Sequence, residues 1–264
     1  MGIKIFALPL LGALLFWSNA DQPSLYLIGD STVEGASETN PIQGWGVKLL
    51  KYFKEDQIRI QNRAVSGISS KTYQTGIVHQ QSMLKNGMWK GVMNELKEGD
   101  FVIMQFGHND DSPVSDTQRM RGTIKGTGND SLVTVNHFTK EEETVRTYGY
   151  YLRKLVADIK SRKAEAIICS PIPKNRWAGG KVVRNDQDYG KWAREVAEAT
   201  GADFIDLNQL IADEYDRVGQ EKVSDTYFVS DKIHTTQEGA ELNASLLAAA
   251  IKKLKKSKLR NYLN

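Results

Sequence analysis

Short apolar runs alternate with longer amphipathic stretches along this chain, and the alternation predicts its secondary structure. The apolar runs cover residues 25–28, 58–60, 101–106, 166–169 and 204–207. Each has the length of a strand, and nearly continuous apolar character is typical of strands buried on both faces of a parallel sheet. We therefore predict about five parallel strands.

Helical periodicity occupies most of the sequence between these runs. Apolar residues recur at helical spacing in 45–53, 140–162, 186–200 and 237–254, and Gly201 is a typical C-terminal stop for the third stretch. Repeated strand–helix units predict an α/β protein, a three-layer α/β/α fold similar to flavodoxin. Active sites in such folds lie beyond the carboxyl ends of the strands.

Two segments depart from this pattern. Residues 111–139 are rich in Gly, Ser, Thr and Asp, and a long irregular insert of this kind is usually either functional or disordered.

Residues 1–20 combine one early charge, Lys4, with an apolar stretch and small residues at 18–20. This favours a cleaved signal peptide over an uncleaved anchor, so we expect a secreted or periplasmic protein without membrane association after cleavage. No linker divides 21–264, which we predict to be one domain.

Composition narrows the classes of function. The formal net charge is +3 over 264 residues, without a continuous basic run outside the C-terminus, which argues against nucleic acid as a partner. Cys169 is the only cysteine, so an internal disulfide is excluded, and its apolar neighbours predict a buried side chain. We expect a monomer.

Two short motifs offer a nucleophile and a base. Ser31 follows a predicted buried strand in Gly29-Asp30-Ser31-Thr32, where it could be a nucleophile or merely a helix cap. Near the C-terminus, Asp231 precedes His234 by three residues. A carboxylate at this spacing can hold Nδ1 of the ring and direct Nε2 outward, although Asp231 could equally cap a turn.

Acyl transfer also requires donors for an oxyanion. Gly67 follows the second predicted strand, and Asn109 follows the third within Gly107-His108-Asn109-Asp110. A glycine lets its N–H approach a substrate closely, and asparagine offers a side-chain amide. For each residue alone, an ordinary turn is the commoner explanation.

The four motifs in this order (GDS, G, GxND and DxxH) resemble those of the SGNH or GDSL hydrolase superfamily across nearly all of residues 21–264. The resemblance implies a serine esterase in which Ser31 is the nucleophile, His234 the general base and Asp231 its orienting partner. It also implies an oxyanion hole formed by the N–H groups of Ser31 and Gly67 and by the Asn109 side chain. No G-x-S-x-G elbow surrounds Ser31, which argues against an ordinary α/β-hydrolase.

Within the superfamily the chain resembles the rhamnogalacturonan acetylesterase branch of the carbohydrate esterases (family 12 type). The segments that carry this resemblance include Gly44-Trp45-Gly46, Asn62-Arg63-Ala64, Gln105 to Asp110, Arg121-Gly122-Thr123, Tyr148 to Arg153 and Ser170 to Pro173. The resemblance implies removal of O-acetyl groups from pectin, with acetylxylan esterase or a lipase or thioesterase of the same fold as alternatives. The substrate would be an acetylated polysaccharide or oligosaccharide.

A groove for an acidic polysaccharide should offer cations and flat apolar surfaces. We therefore consider Trp45, Arg63, Arg121 and Trp177 as substrate-binding candidates, since arginine can pair bidentately with a uronate carboxylate. His79, His108 and His137 lack metal-ligand spacing, and His108 is interpreted as a structural loop residue. We predict neither a metal nor a cofactor.

Overall fold

The computed structural model describes residues 22–264. The strands are β1 (Ser24–Gly29), β2 (Arg59–Asn62), β3 (Phe101–Gln105), β4 (Ser131–Val135), β5 (Glu142–Arg146), β6 (Glu165–Cys169), β7 (Trp177–Ala178), β8 (Lys181–Val182) and β9 (Asp203–Ile205). The α-helices are α1 (Trp45–Leu49), α2 (Ser70–Thr75), α3 (Met88–Glu95), α4 (Tyr148–Ser161), α5 (Tyr189–Thr200), α6 (Leu207–Val218), α7 (Gln220–Thr226) and α8 (Gln237–Lys253). The predicted leader at 1–20 lies outside the described residues.

Five strands form one parallel sheet in the order β2-β1-β3-β6-β9. They are the five strands predicted from the apolar runs. In β1 and β3 every residue is buried, which explains why their sequences read as apolar on both faces.

Side chains alternate between two hydrophobic cores, one on each face of the sheet. Leu25 and Leu27 of β1 pack on the face covered by α1, α6 and α8, whereas Tyr26 and Ile28 pack on the face covered by α2 to α5. Because successive residues of a strand point to opposite faces, one apolar run supplies both cores. The predicted three-layer α/β/α fold is confirmed.

The helix predicted over 140–162 is correct only in its second part. Residues 142–146 form β5, which pairs antiparallel with β4 from the insert, and α4 begins after Thr147, whose side chain accepts a hydrogen bond from the Tyr150 N–H. The insert is therefore partly regular. A buried ion pair of 3.1 Å between Lys71 Nζ of α2 and Glu143 Oε1 of β5 attaches this hairpin to the domain, a tertiary contact that helical periodicity does not report.

The parallel arrangement brings several turns to one edge of the sheet. β1 leads into Asp30 and Ser31, β2 into the turn that contains Gly67, and β3 into His108 and Asn109. The turn between α7 and α8 carries His234 to the same edge, because Gln43 N donates to Thr235 O at 2.9 Å. Among residues 22–264, no helix combines the length and apolar character needed to cross a membrane.

Candidate active site

Ser31, His234 and Asp231 form a continuous hydrogen-bonded line. His234 Nε2 lies 2.8 Å from Ser31 Oγ, although the two residues are 203 positions apart in the chain. On the other side of the ring, Nδ1 lies 2.5 Å from Asp231 Oδ2. A nucleophile, a base and an orienting carboxylate in this order are the arrangement that activates a serine hydroxyl.

The turn that carries Asp231 orients its carboxylate toward the ring. Asp231 Oδ1 accepts from the N–H groups of Ile233 at 2.8 Å and His234 at 2.9 Å, which leaves Oδ2 for Nδ1. Burial alone would raise the pKa of Asp231, but the hydrogen bonds from His234 and Ile233, together with the His234 charge, hold it below its usual value. An ionised Asp231 keeps the proton on Nδ1, so Nε2 presents a lone pair to Ser31.

The turn after β1 is held by a buried network. Asp30 O accepts from the N–H groups of Val33 and Glu34. Asp30 Oδ1 accepts from Thr32 N at 2.9 Å and from Thr32 Oγ1 at 2.7 Å. Ser31, between them, is consequently presented at the edge of the sheet on a fixed backbone.

Trp45 belongs to this same network and not to the substrate groove. Its side chain is 0% exposed, and Nε1 donates to Gln105 Oε1 at 3.0 Å, while Gln105 Nε2 donates to Thr32 Oγ1 at 2.6 Å. The prediction that Trp45 contacts a sugar is wrong, because no ligand can reach a ring that is completely enclosed.

Gly67 and Asn109 lie in the wall of the cleft that contains Ser31. Gly67 has a φ of +77°, a backbone conformation that disfavours side chains and supports the expectation of a glycine here. Asn109 is 8% exposed, and its Nδ2 donates one hydrogen to Ile68 O at 2.8 Å. The second amide hydrogen of Asn109 is left for another acceptor, such as an oxyanion in the cleft.

The cleft has a volume of about 720 Å³ and is strongly cationic. Its charged lining side chains are Glu34, Lys85, Arg119, Arg121 and Lys174. Lys85 pairs with Glu34 at 3.0 Å, whereas the other three cations form no ion pair with any residue in the described part of the chain. The result is an excess of positive charge that a substrate could neutralise.

Of the arginine candidates, only Arg121 lines this cleft. It donates from Nε to Ser112 Oγ at 2.9 Å and from an Nη to Gly67 O at 3.2 Å, so its guanidinium is fixed beside the Gly67 turn. Burial and the charge of nearby Arg119 lower the pKa of Arg121, while acidic groups around it act in the opposite direction.

Arg63 and Trp177 lie elsewhere. Arg63 pairs with Glu95 at 2.6 Å and also bonds to Gln61, outside the Ser31 cleft. Trp177 lies in β7, packs against the core and donates to Asn175 Oδ1 at 2.7 Å. Neither side chain lines the Ser31 cleft, and each is directed to partners from its own neighbourhood, so a contact of Arg63 or Trp177 with substrate stays a prediction.

Sequence reasoning missed other lining residues, among them His79, Met83 and Lys85. Burial and the charges of Arg119 and Arg121 lower the pKa of His79. All three precede α3 in a stretch with no strand and no recognisable motif, so the pattern carried no signal for them. His108, interpreted as a structural loop residue, also lines the cleft.

Within residues 22–264, no three His, Cys, Asp or Glu side chains are arranged to hold a metal ion.

Comparison with known proteins agrees with this geometry. Residues 27–242 match the model of the GDSL-like lipase/acylhydrolase family. The chain is 27% identical to a rhamnogalacturonan acetylesterase of Emericella nidulans over 228 residues, covering 86% of this chain and 84% of that protein. It is also 27% identical to YesY of Bacillus subtilis, named a probable rhamnogalacturonan acetylesterase, over 87% of this chain and 93% of that one.

Solved structures show the same fold at lower identity. The crystal structure of YxiM from Bacillus subtilis superposes with a TM-score of 0.68 at 20% identity, over 88% of this chain and 56% of that one. A mutant of Axe2 from Geobacillus stearothermophilus, an acetyl-xylooligosaccharide esterase, superposes with a TM-score of 0.52 at 18% identity, over 88% of this chain and 93% of that one.

Proposed function

The chain belongs to the GDSL-like lipase/acylhydrolase family and is a carboxylic ester hydrolase, and on that premise we propose that it removes O-acetyl groups from acetylated pectic polysaccharide, most specifically rhamnogalacturonan. Two relatives named for this activity, aligned over most of their length, support the proposal. A substrate outside the cytoplasm also agrees with the leader expected at 1–20.

The proposed reaction has two steps. Ser31 Oγ forms a bond to the acetyl carbonyl carbon while its proton passes to His234 Nε2, 2.8 Å away. The carbonyl oxygen becomes an oxyanion, which accepts hydrogen bonds from the N–H groups of Ser31 and Gly67 and from Asn109 Nδ2. As the C–O bond to the sugar breaks, His234 returns the proton to the sugar oxygen.

Water completes the cycle. His234, neutral again, takes a proton from a water molecule whose oxygen attacks the acetyl-Ser31 carbonyl. The bond to Ser31 Oγ then breaks, Oγ regains a proton from His234, and acetate leaves. Asp231 remains ionised throughout and stabilises the imidazolium form of His234 that occurs in both steps.

The observation that carries the choice of substrate is the unpaired cationic lining of the cleft. Rhamnogalacturonan alternates rhamnose with galacturonate, whose carboxylate is ionised at neutral pH. Arg119, Arg121 and Lys174 line the cleft beside Ser31 and form no ion pair with any described residue. Charge-assisted hydrogen bonds to uronate carboxylates would satisfy them.

The same lining argues against a long acyl chain. A lipase or thioesterase requires an uninterrupted apolar groove, whereas in this cleft five charged side chains lie among apolar ones such as Ile42, Val65 and Met83. Acetylxylan remains a measurable alternative, because the geometry at Ser31 suits any acetyl ester of a sugar.

Acetate release is the direct test. Wild type and Ser31→Ala are incubated with acetylated rhamnogalacturonan, with the same polymer after methyl esterification of its carboxylates, and with acetylated xylan. We expect rapid release from the acidic polymer by wild type only. Faster release from xylan would overturn the assignment to pectic polysaccharide. In a separate assay, preference for p-nitrophenyl esters with acyl chains longer than butyrate would favour a lipase or thioesterase.

A matched pair of variants tests the role of charge. Arg119→Gln/Lys174→Gln should reduce the preference for the acidic over the methyl-esterified polymer about tenfold, the scale of a lost hydrogen bond between charged groups. Arg162→Gln removes an exposed arginine at the end of α4, on the opposite edge of the sheet. That control should keep the preference, and an equal loss in both variants would contradict a specific uronate contact.

A further inference from the structure

A second aspartate–histidine pair lies beneath the nucleophile. Asp30 directly precedes Ser31 and is 0% exposed, and His108 directly precedes Asn109. His108 Nδ1 lies 3.4 Å from Asp30 Oδ2, and the His108 side chain is 8% exposed. The reaction described above uses neither residue.

The surroundings of the His108 ring determine its protons. Nε2 lies 3.0 Å from Ile172 O, and a carbonyl oxygen can only accept, so Nε2 carries a hydrogen. Among the described residues, neither Nδ1 nor Asp30 Oδ2 has a hydrogen-bond partner, and each is buried. Facing each other without a proton between them, they would be two unsatisfied acceptors in a dry environment, which is strongly unfavourable.

That proton belongs on the ring. Asp30 Oδ1 accepts two hydrogen bonds from Thr32, which stabilise the ionised carboxylate. Burial alone would raise the pKa of Asp30, but the pairing with His108 and the hydrogen bonds from Thr32 hold it below its usual value. Two further groups interact with the charge of Asp30, which raises the pKa of the Asp110 carboxyl and acts to raise that of the Arg121 guanidinium.

We propose that His108 is a buried imidazolium paired with the Asp30 carboxylate, and that it is a positioning residue that sets the Asn109 amide against Ser31. The pair joins the turn after β1, which carries the nucleophile, to the turn after β3, which carries the oxyanion donor. The His108 ring also lines the cleft, so its positive charge lies close to the place where the oxyanion forms.

Nuclear magnetic resonance reports the ring protons directly. Long-range ¹H–¹⁵N correlation spectra of the ¹⁵N-labelled protein at pH 7 should show one histidine with both ring nitrogens protonated, and those signals should disappear in His108→Gln. His137→Gln, which changes an exposed histidine that does not line the cleft, should leave them in place. A neutral His108 tautomer in wild type at pH 7 would overturn the proposal.

Asp30→Asn tests the consequence for catalysis. Asparagine can keep the Thr32 hydrogen bonds through its oxygen and donate to Nδ1 through its amide, so His108 should become neutral with little change in shape. On p-nitrophenyl acetate we expect kcat to fall roughly 10- to 100-fold, less than for a direct oxyanion donor, with KM nearly unchanged.

The result separates a structural from a positioning role. A neutral His108 with wild-type kcat in Asp30→Asn would overturn the positioning role, and a His108 that stays doubly protonated in this variant would overturn its pairing with Asp30. If the variant fails to fold, the wild-type spectrum alone decides the protonation state. The p-nitrophenyl ester keeps the outcome independent of the polysaccharide that the enzyme uses.

Discussion

Two aspartate–histidine pairs lie beside Ser31. They differ in burial and in the atom that Nε2 of the histidine contacts. The side chains of Asp231 and His234 are 42% and 26% exposed, whereas those of Asp30 and His108 are 0% and 8% exposed. Nε2 of His234 faces a hydroxyl, which can give up a proton, and Nε2 of His108 faces a carbonyl oxygen, which cannot.

The contrast teaches that a neighbouring aspartate does not by itself make a histidine a base. With Nδ1 committed to Asp231, the His234 ring keeps a lone pair for Ser31 and can shuttle protons. His108 lies between two acceptors, so it holds its protons and contributes charge and position. Three predictions test how far the two pairs differ.

The largest effect should come from removing the proton-shuttling ring. His234→Ala should lower kcat on p-nitrophenyl acetate by about 10⁴- to 10⁶-fold, because without a base the Ser31 hydroxyl is a weak nucleophile. Ser31→Ala should cost a similar amount, and the double variant no more, since the two act as one unit. A His234→Ala enzyme within tenfold of wild type would make the pairs equivalent and refute the comparison.

An intermediate effect should come from removing the Asn109 side-chain amide, which the buried Asp30–His108 pair positions. Asn109→Ala should lower kcat by roughly 10²- to 10³-fold, the usual cost of one oxyanion donor. Asn175→Ala is the matched control, because Asn175 is also buried but bonds to Ser224 and Trp177 outside the cleft. It should reduce stability and leave kcat intact. Near-wild-type turnover of Asn109→Ala would remove Asn109 from the oxyanion hole.

The smallest effect concerns stability near the buried pair. Burial raises the pKa of Asp110 to about 7, and the Asp30 charge adds to the shift while hydrogen bonds from Ser70 oppose it. The folded protein therefore keeps a proton that the unfolded chain releases near pH 4. This contribution to stability is complete below the unfolded pKa and is lost as pH rises through about 7.

Chemical denaturation of wild type and Asp110→Asn at pH 5 and pH 8 measures this contribution. Wild type should lose about 2–3 kcal/mol relative to the variant over this interval, because asparagine does not titrate. Parallel pH dependence of the free energy of unfolding in the two proteins would show that Asp110 is already ionised at pH 5. Using the difference between the proteins removes the contributions of titrating groups that do not interact with Asp110.

The sequence predicted the position of some candidate site residues at one edge of the sheet, because the signals for that position are local. Ser31, Gly67 and Asn109 each follow a strand, and the parallel order brings strand ends to one edge. Trp45 and Arg63 also lie near that edge in sequence, yet Trp45 is enclosed by Gln105 and Arg63 pairs with Glu95. The orientation of a side chain depends on contacts with residues that are distant in the sequence, and a local sequence pattern does not indicate these contacts.

By itself, then, the sequence determined the five strands, the three layers and the order of the motifs, because hydrophobic periodicity and turn residues act over short distances. Only the tertiary structure decided that Arg119, Arg121 and Lys174 face the cleft while Arg63 does not. It also decided that His234 meets a hydroxyl and His108 a carbonyl oxygen. The physical reason is the same in each case: charge and protonation depend on which atoms surround a group in space, and folding brings those atoms from distant parts of the chain.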